Sequence, residues 1–503
     1  MEIELKLTIA ASEIRKLSRS GLLRAARRSP PVTRRLYSVY YDTAERTLAR
    51  AGMALRLRKA GRRWIQTFKC GGGVGTGLHQ REEYEAPTPA QLLNLAALSG
   101  TPAARLFSDP GLRERISPVF VTDFRRTTSL MEIHPGEIAE LAIDTGTISA
   151  RGVTEPIREI ELELKDGTPV HLFGFARKLL DEVDLRLENA SKAERGYALL
   201  AGLKPAPIRA VSPPLEPATG STGALREIAG ACLAQLMGNE RGVLGSDDPE
   251  YVHQSRVGIR RLRSAFNLFR PLVPRALVDE TLGRFRTLAL RLGAARDWDV
   301  FVAETLPPIR EAFPGETALA RLAEAADASQ QLARKQAREA LAARDHTRLL
   351  LDFALLLHEA PWQSGAGATP SASISESAPA LLRRQWKRMR RAGATADRND
   401  AESLHALRIE IKKMRYALEF FEALLPARGV RTLLQGSAEL QDILGRLNDE
   451  AITGRLLATL DTGNPELSFA AGLVRGWTHA RATAALDRFE TAWRRLSRLK
   501  PCW

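Results

Sequence analysis

The sequence predicts an α+β domain followed by an all-α domain, on three observations: polar and apolar residues alternate with period two before residue 204, a Pro/Ala/Ser/Gly-rich stretch follows, and helical spacing dominates thereafter. In the first part, Glu2-Ile-Glu-Leu-Lys6, Leu55-Arg-Leu-Arg58 and Glu159-Ile-Glu-Leu-Glu163 alternate, which puts the charged side chains on one face of each strand. Residues 205–222 carry Ser212-Pro-Pro and no sustained apolar period, as a linker does. From 223 to 503, Ala, Leu, Arg and Glu recur with apolar residues three and four apart, and prolines punctuate the segments as helix boundaries.

The helical half contains an internal duplication at an offset of 152 residues, a domain-scale repeat rather than a solenoid period. His253, Arg256, Ile259, Arg263 and Phe269 return as His405, Arg408, Ile411, Arg415 and Phe421, while Arg260 and Arg261 return as Lys412 and Lys413. The copies are expected over about 223–360 and 380–503, as two pseudo-symmetric helical bundles. A Ser/Ala/Gly-rich stretch from Ser364 to Pro379 reads as a flexible crossover between them.

With 503 residues, 44% of them hydrophobic, the chain can bury more than one core. Its formal charge of +15 favours an anionic partner, whether nucleic acid, an acidic membrane surface or polyphosphate. Cys70, Cys232 and Cys502 are too scattered for a disulfide framework or a zinc pattern, which suits a reducing compartment. The opening Met-Glu-Ile-Glu lacks the basic and apolar regions of a secretory signal. The apolar run Leu349 to Leu357 is short and contains Asp352, so it reads as a buried helix rather than a membrane span. A cytoplasmic protein is expected.

One strand with a charged face is ordinarily a solvated strand, but here the pattern recurs: Arg56 with Arg58, Arg81 with Glu83 and Glu85, and Glu159 with Glu161 and Glu163. If such strands close with charged faces inward, carboxylates and cations share a confined space. Clustered carboxylates repel unless hard cations such as magnesium or manganese join them, and inward Arg and Lys hold phosphate oxygens. That combination suits phosphoryl transfer. The segment Gly71 to Gly77 lacks the Gly-Lys-Ser/Thr ending of a P-loop and is expected to be a mobile hairpin loop at the mouth of the barrel.

Glu2-Ile-Glu-Leu-Lys6 resembles the first-strand ExExK signature of the CYTH superfamily, the triphosphate tunnel metalloenzymes. Leu55-Arg-Leu-Arg58, Thr67-Phe-Lys69, the Glu83–Glu85 strand, Thr122-Asp-Phe-Arg-Arg126, Ile143-Asp144, the Glu159–Glu163 run and Ser191-Lys-Ala-Glu-Arg195 follow in the family's order. The resemblance implies an eight-stranded antiparallel tunnel over 1–204. It implies that Glu2 and Glu4 help bind a metal, Mg²⁺ or Mn²⁺, that positions the attacking water, and that Asp144, Glu161 and Glu163 bind one that grips the substrate. Lys6, Arg56, Arg58, Lys69, Arg126 and Lys192 would grip phosphate, with Arg81 and Arg195 beside them; Lys6 and Lys192 are also catalytic candidates.

In the second half, His253, Arg256, Arg260 and Arg263 are spaced by three, four and three and form one helical stripe, repeated by His405, Arg408, Lys412 and Arg415. Leu262, Phe266 and Phe269, with Ile411, Leu418 and Phe421, lie at core spacing on another face. A single basic stripe is usually solvated surface, whereas two related stripes brought together would concentrate cations on an extended polyanion. The basic helix Arg383 to Arg391 precedes only the second copy, as either an extra anion contact or an amphipathic surface. The duplicated pattern, with Asp297 or Asp449 44 residues after each His, resembles the CHAD domain, an α-helical domain associated with inorganic polyphosphate. The resemblance makes His253, Arg256, Arg260, Arg261, Arg263, His405, Arg408, Lys412, Lys413 and Arg415 polyphosphate-binding candidates.

The order of the two domains resembles that of two-domain bacterial inorganic triphosphatases. The expectation is hydrolysis of tripolyphosphate, with long-chain polyphosphate as a partner of the helical half and polyphosphate granules as a place of association. The rivals are a non-enzymatic polyphosphate-binding or granule-targeting protein, and a tunnel enzyme acting on thiamine triphosphate or nucleoside triphosphates. Nucleic acid ranks below them, since no recognition motif accompanies the basic faces.

Overall fold

The computed structural model describes residues 2–503 other than 76, 203–205, 275, 277, 360–371 and 461–462, with the side chains of 72–75 also outside the description. The chain forms two units, one of residues 1–206 with 343–359, the other of 207–342 with 360–503.

In the first unit the strands are β1 (Glu2–Ile9), β2 (Val32–Asp42), β3 (Ala54–Ala60), β4 (Arg63–Gly75), β5 (Leu78–Thr88), β6 (Ser117–His134), β7 (Glu137–Ala150), β8 (Val153–Asp166) and β9 (Leu185–Leu187). Their order is β5-β4-β3-β2-β6-β7-β8-β1, and β1 pairs back onto β5, so those eight close into an antiparallel barrel. The first half of β1 pairs with β5 and its end, Leu7–Ile9, with β9. Period-two alternation does the sorting: Leu5 and Leu7 are fully buried outside the barrel wall, while Glu4 and Lys6 turn inward. Short helices α1 (Ile14–Ser18), α2 (Gly21–Ala26), α3 (Thr47–Arg50) and α4 (Pro110–Arg115) sit in the connections, ahead of α5 (Pro169–Glu182) and α6 (Lys192–Ala201).

Two apolar clusters brace the barrel. Val39, Leu55, Leu57 and Phe68 pack outside it against Leu98, Phe107 and Leu112 of the β5–β6 connection. Leu36, Tyr40, Phe120, Phe124, Ile148 and Ile157 form the other, on which α6 seats Ala193 and Tyr197. Gly196 makes that seating possible, because a Cβ there would lie 2.1 Å from the Phe120 ring.

The Gly71–Gly77 segment departs from the expected loop. β4 continues to Gly75 and β5 starts at Leu78, with a register irregularity between Cys70 and Gly73. The extra glycines are absorbed as a bulge, because backbone pairing to Gln80, His79 and Leu78 continues past it. Residue 76 lies outside the described residues.

The second unit begins with α7 (Ser221–Gly245), α8 (Pro249–Leu268), α9 (Asp279–Val300), α10 (Leu306–Ala312) and α11 (Thr317–Ala342). After α12 (Arg344–Glu359) come α13 (Ile374–Ala394), α14 (Ala401–Phe420), α15 (Ala427–Leu460), α16 (Pro465–Leu486) and α17 (Phe489–Ser497). The repeats are visible as successive packing, α7 on α8 on α9 on α11 and α13 on α14 on α15 on α16, with α8 meeting α14. Leu262, Phe266, Phe269, Ile411, Leu418 and Phe421 are all buried as the spacing predicts, and the equivalent Phe269 and Phe421 rings meet in a tilted contact with centroids 6.0 Å apart.

The Pro-rich stretch is not a free tether. Ile208 exchanges two hydrogen bonds with the Asn239 side chain on α7, and Leu215 is buried. The expected crossover is shorter than its composition suggests, because α13 starts at Ile374 with a capping box of Ser373 and Glu376; residues 364–371 of that stretch lie outside the described residues. The helix carrying Leu349–Leu357 is buried, as expected, but in the first unit: α12 packs on α5, with Arg177 donating to Asp352 at 2.8 Å and Arg348 to Asp181 at 2.8 Å. Among the described residues no helix is long and apolar enough to cross a membrane.

Candidate active site and basic stripe

The barrel interior holds a cavity of about 540 Å³ whose wall is largely charged. Its cations are Lys6, Arg56, Arg58, Lys69, Arg81, Arg126 and Lys192; its carboxylates are Glu2, Glu4, Glu83, Glu85, Glu140, Glu161 and Glu163. Cross-strand register explains the assembly: Glu4 lies opposite Glu163, Lys6 opposite Glu161, and Arg126 opposite Asp144, so one shift by a single residue would empty the interior of charge.

Lys192 is placed by local chemistry. Ser191 and Glu194 form a capping box that starts α6 at Lys192, aiming its first turn into the cavity. There its ammonium contacts Asp144 at 2.8 Å, Glu159 at 2.5 Å and Glu161 at 2.8 Å. Arg126 reaches two of these carboxylates, donating to Asp144 at 2.8 and 2.6 Å and also to Glu161. Burial works to raise the Glu161 pKa, yet Arg126, Lys192 and Lys6 overcome it and hold the carboxyl well below its usual range.

Nearer β5, Lys69 bridges Glu2 and Glu83 at 2.8 Å each, and Arg56 lies 3.3 Å from Glu83. The two carboxyls diverge. Burial raises Glu2 to about 7 against the pull of Lys69, whereas in Glu83 the same burial is outweighed by Lys69 and Arg56, which hold it at about 2. Glu4 is also buried, but Lys6 at 3.0 Å keeps its pKa low.

Arg58 differs from its neighbours. It is half-buried and has no carboxylate partner among the described residues; its buried Nε makes no hydrogen bond, and desolvation beside Arg56 and Arg126 lowers its pKa to about 10. A guanidinium held this way is short of an anion.

Of the sequence candidates, Asp144 and Arg195 do not form the cavity surface. Asp144 is fully buried beneath Arg126 and Lys192, and Arg195 turns behind the wall, donating to Glu155 at 2.8 Å, to Glu159 and to the Pro156 carbonyl. Sequence reading passed over Tyr40 and Glu140. Glu140 shares a face with Asp144, but Ala142 between them interrupts the charged alternation; Tyr40 stands in an aromatic run whose parity no charge marks. The Tyr40 ring stacks on Phe120 at 4.4 Å and turns its hydroxyl to Arg56 at 3.4 Å. Trp64 alternates out of phase with Thr67 and Lys69, and packs on the outer cluster.

The donor set suits a hard divalent cation. Asp144, Glu159 and Glu161 bring carboxylate oxygens within 4.8 Å of one another, and Glu2, Glu4 and Glu163 add oxygen donors along the wall with no sulfur or imidazole among them. In this arrangement Lys192 supplies the positive charge among the buried trio.

In the second unit, the stripes of α8 and α14 converge. Arg256 donates to the Gly293 carbonyl at 2.9 Å and contacts Asp297 at 3.2 Å, while burial and then Arg260, Arg408 and Arg256 press the Lys412 ammonium down to about 7 against Asp449. The Nε atoms of Arg260 and Arg408 are buried without a hydrogen-bond partner. Burial and Arg296 lower His253 to about 4, and burial and Arg408 lower His405. Arg261 lies elsewhere: it is buried against Tyr416 and Phe420 and pairs with Glu419. Lys413 pairs with Glu410 at 2.6 Å, Arg415 donates to Gln441 at 3.0 Å, and burial beside Arg286 lowers Arg263. The basic helix α13 turns Arg384 onto the last carbonyls of α8.

Comparison with known proteins agrees with this geometry. An inorganic triphosphatase of Haemophilus influenzae is 40% identical over 171 residues, which is 33% of this chain and 46% of that protein, so under half of the relative's length is covered. An uncharacterized protein of Mycobacterium tuberculosis is 26% identical over 99% of this chain and 96% of its own length. The crystal structure of the CHAD domain from the plant Ricinus communis matches at 34% identity and a TM-score of 0.52, covering 59% of this chain and 99% of that one. The CYTH domain model matches residues 1–197 and the CHAD domain model residues 227–458, so the chain is a CYTH domain joined to a CHAD domain.

Proposed function

We propose that the tunnel hydrolyses inorganic tripolyphosphate to pyrophosphate and orthophosphate with Mg²⁺ or Mn²⁺, and that the paired stripes of the helical unit bind long-chain polyphosphate. The observation that carries the reading is Arg58, a half-buried guanidinium with a buried, unpaired Nε and no ion pair among the described residues, in a cavity whose other cations are mostly matched by carboxylates. The triphosphatase relative supports it.

The cation would be held by Glu4, Glu161 and Glu163, with Glu2 at the water side and Asp144 behind; when bound it supplies neutralisation of phosphate charge and a more acidic water. Arg56, Arg58, Arg126 and Lys69, on the run of strands from β4 to β6, orient phosphoryl oxygens, and Lys6 and Arg81 extend the grip from β1 and β5. Glu2, raised to about 7, can accept a proton from water at neutral pH. Lys192, tied to three carboxylates, stays charged at the start of α6 and fixes the inner end of the substrate.

An inorganic substrate is favoured over a nucleotide or thiamine ester because, among the described residues, the wall offers no free aromatic face: Tyr40 is stacked on Phe120 and Trp64 packs on the outer cluster. The test is phosphate release from tripolyphosphate, ATP, thiamine triphosphate and long-chain polyphosphate with added Mg²⁺ or Mn²⁺, using Glu4→Gln as control. Turnover of tripolyphosphate above the others, lost in Glu4→Gln, is the expected result. Binding of polyphosphate without turnover of any substrate would favour a non-enzymatic binder.

A further inference from the structure

A second constellation lies outside the tunnel, where the β6–β7 turn meets the start of α5. His134 ends β6, Glu137 begins β7 across the two-residue Pro135-Gly136 turn, and His171 stands in the first turn of α5. One ligand atom from each of the three lies within 4.8 Å of the other two. The imidazoles stack in parallel, with centroids 3.9 Å apart and planes 2° apart, and His171 Nδ1 is 2.7 Å from Glu137 Oε2.

The carboxylate is held in place by backbone. Thr168 donates its N–H to Glu137 Oε2 at 3.0 Å, and Gly167, at φ +116°, leaves the room: a Cβ there would come within 2.3 Å of that oxygen. Accepting a helix-start N–H accounts for Glu137 alone. It does not account for two histidines from separate elements stacked beside the same carboxylate. Two imidazoles and an anchored carboxylate are the donor set of a three-ligand transition-metal site, with positions left for water. His134 is exposed and Glu137 and His171 are half-buried, so an ion can enter from solution, and the exposed His134 ring can turn out of the stack to bring its nitrogen toward the other two donors.

We propose that His134, Glu137 and His171 form a binding site for a borderline divalent cation of the zinc class, separate from the all-oxygen tunnel, that staples the β6–β7 turn to α5. Nitrogen donors discriminate in favour of zinc, cobalt or nickel over magnesium, so the two kinds of site take different ions.

The test uses the full chain without a histidine tag, stripped with chelator and kept in excess Mg²⁺ to fill carboxylate-only sites. Zn²⁺ binding is measured by calorimetry and Co²⁺ binding by visible absorption, alongside thermal unfolding. One equivalent of Zn²⁺ should bind and raise the first melting transition. His134→Ala and His171→Ala should each weaken it roughly tenfold or more, Gly167→Ala should weaken it by displacing Glu137, and Glu4→Gln should leave it intact. Because His134 is exposed, His134→Ala decides the matter if another variant fails to fold. Equal binding in wild type and His134→Ala, loss in Glu4→Gln, or no binding at all would overturn the site.

Discussion

The two charged regions use the same residue types and treat them in opposite ways. In the tunnel every lysine sits against carboxylates: burial would discharge Lys6, but Glu4 and Glu161 raise its pKa, and Asp144, Glu159 and Glu161 do the same for Lys192. On the helical stripes Lys412 is half-buried, but beyond desolvation its neighbours are Arg260, Arg408 and Arg256, with Asp449 as counterweight, and its pKa falls to about 7. A site that must hold a cation as well as phosphate carries both signs. On the proposed reading, a site that only needs to bind a polyanion can carry an excess of cations over carboxylates, with the ligand as the missing partner.

The sharpest way to break that comparison is Glu4→Gln. Removing one buried carboxylate from the mixed-charge wall should lower tripolyphosphate turnover by about 10²–10³-fold, measured as kcat with saturating metal, while polyphosphate binding by the full chain stays within error. Loss of polyphosphate binding in the same variant would mean that the tunnel, rather than the stripes, holds the polymer.

Next in size is an effect that composition hid. The barrel strands, the helical half and the tunnel face were legible because period two and period 3.6 sort side chains before any tertiary contact forms. The placement of α12 was not, since an amphipathic helix of Leu349, Leu350, Phe353 and Leu357 looks the same whichever unit covers it. Tyr40, Glu140 and the buried pairings of Arg195 and Arg261 were hidden for a related reason: parity assigns a face, and only neighbours decide whether a cation on it meets a cavity or a nearby glutamate. Leu351 is fully buried in the first unit, so Leu351→Ala should destabilise the tunnel unit by roughly 2–4 kcal/mol. The lower melting transition should appear in a fluorescence or calorimetric scan and be recovered in part by tripolyphosphate. A loss confined to the helical unit's transition would place α12 with that unit instead.

Two titrations give smaller effects. Glu2 must be ionised to serve as a ligand or base and its pKa is raised to about 7, so kcat/KM for tripolyphosphate should fall up to tenfold per pH unit below that value, with Glu83 at about 2 charged throughout. Glu2→Gln should flatten the profile as it lowers the rate; a wild-type profile flat between pH 6 and 8 would remove Glu2 from the proton path.

The helical stripe should respond with the opposite sign. Lys412 is disfavoured as an ammonium in the empty fold by burial and three arginines, and a polyanion reverses that balance, so binding draws a proton onto Nζ. Affinity for long-chain polyphosphate should therefore tighten as pH falls, by about tenfold between pH 8 and pH 6 at fixed ionic strength. His253, at about 4 in the ligand-free fold, needs a much larger upward shift than Lys412 before it takes up a proton in this window. Lys412→Met should weaken binding and abolish most of the pH dependence, whereas Lys413→Met, which removes a lysine paired with Glu410, should leave the slope in place. Binding measured by calorimetry in two buffers of different ionisation heat counts the proton directly. A slope that survives Lys412→Met would assign it to His405 or to the polymer's own phosphates, and the contrast between the two regions would then rest on geometry alone.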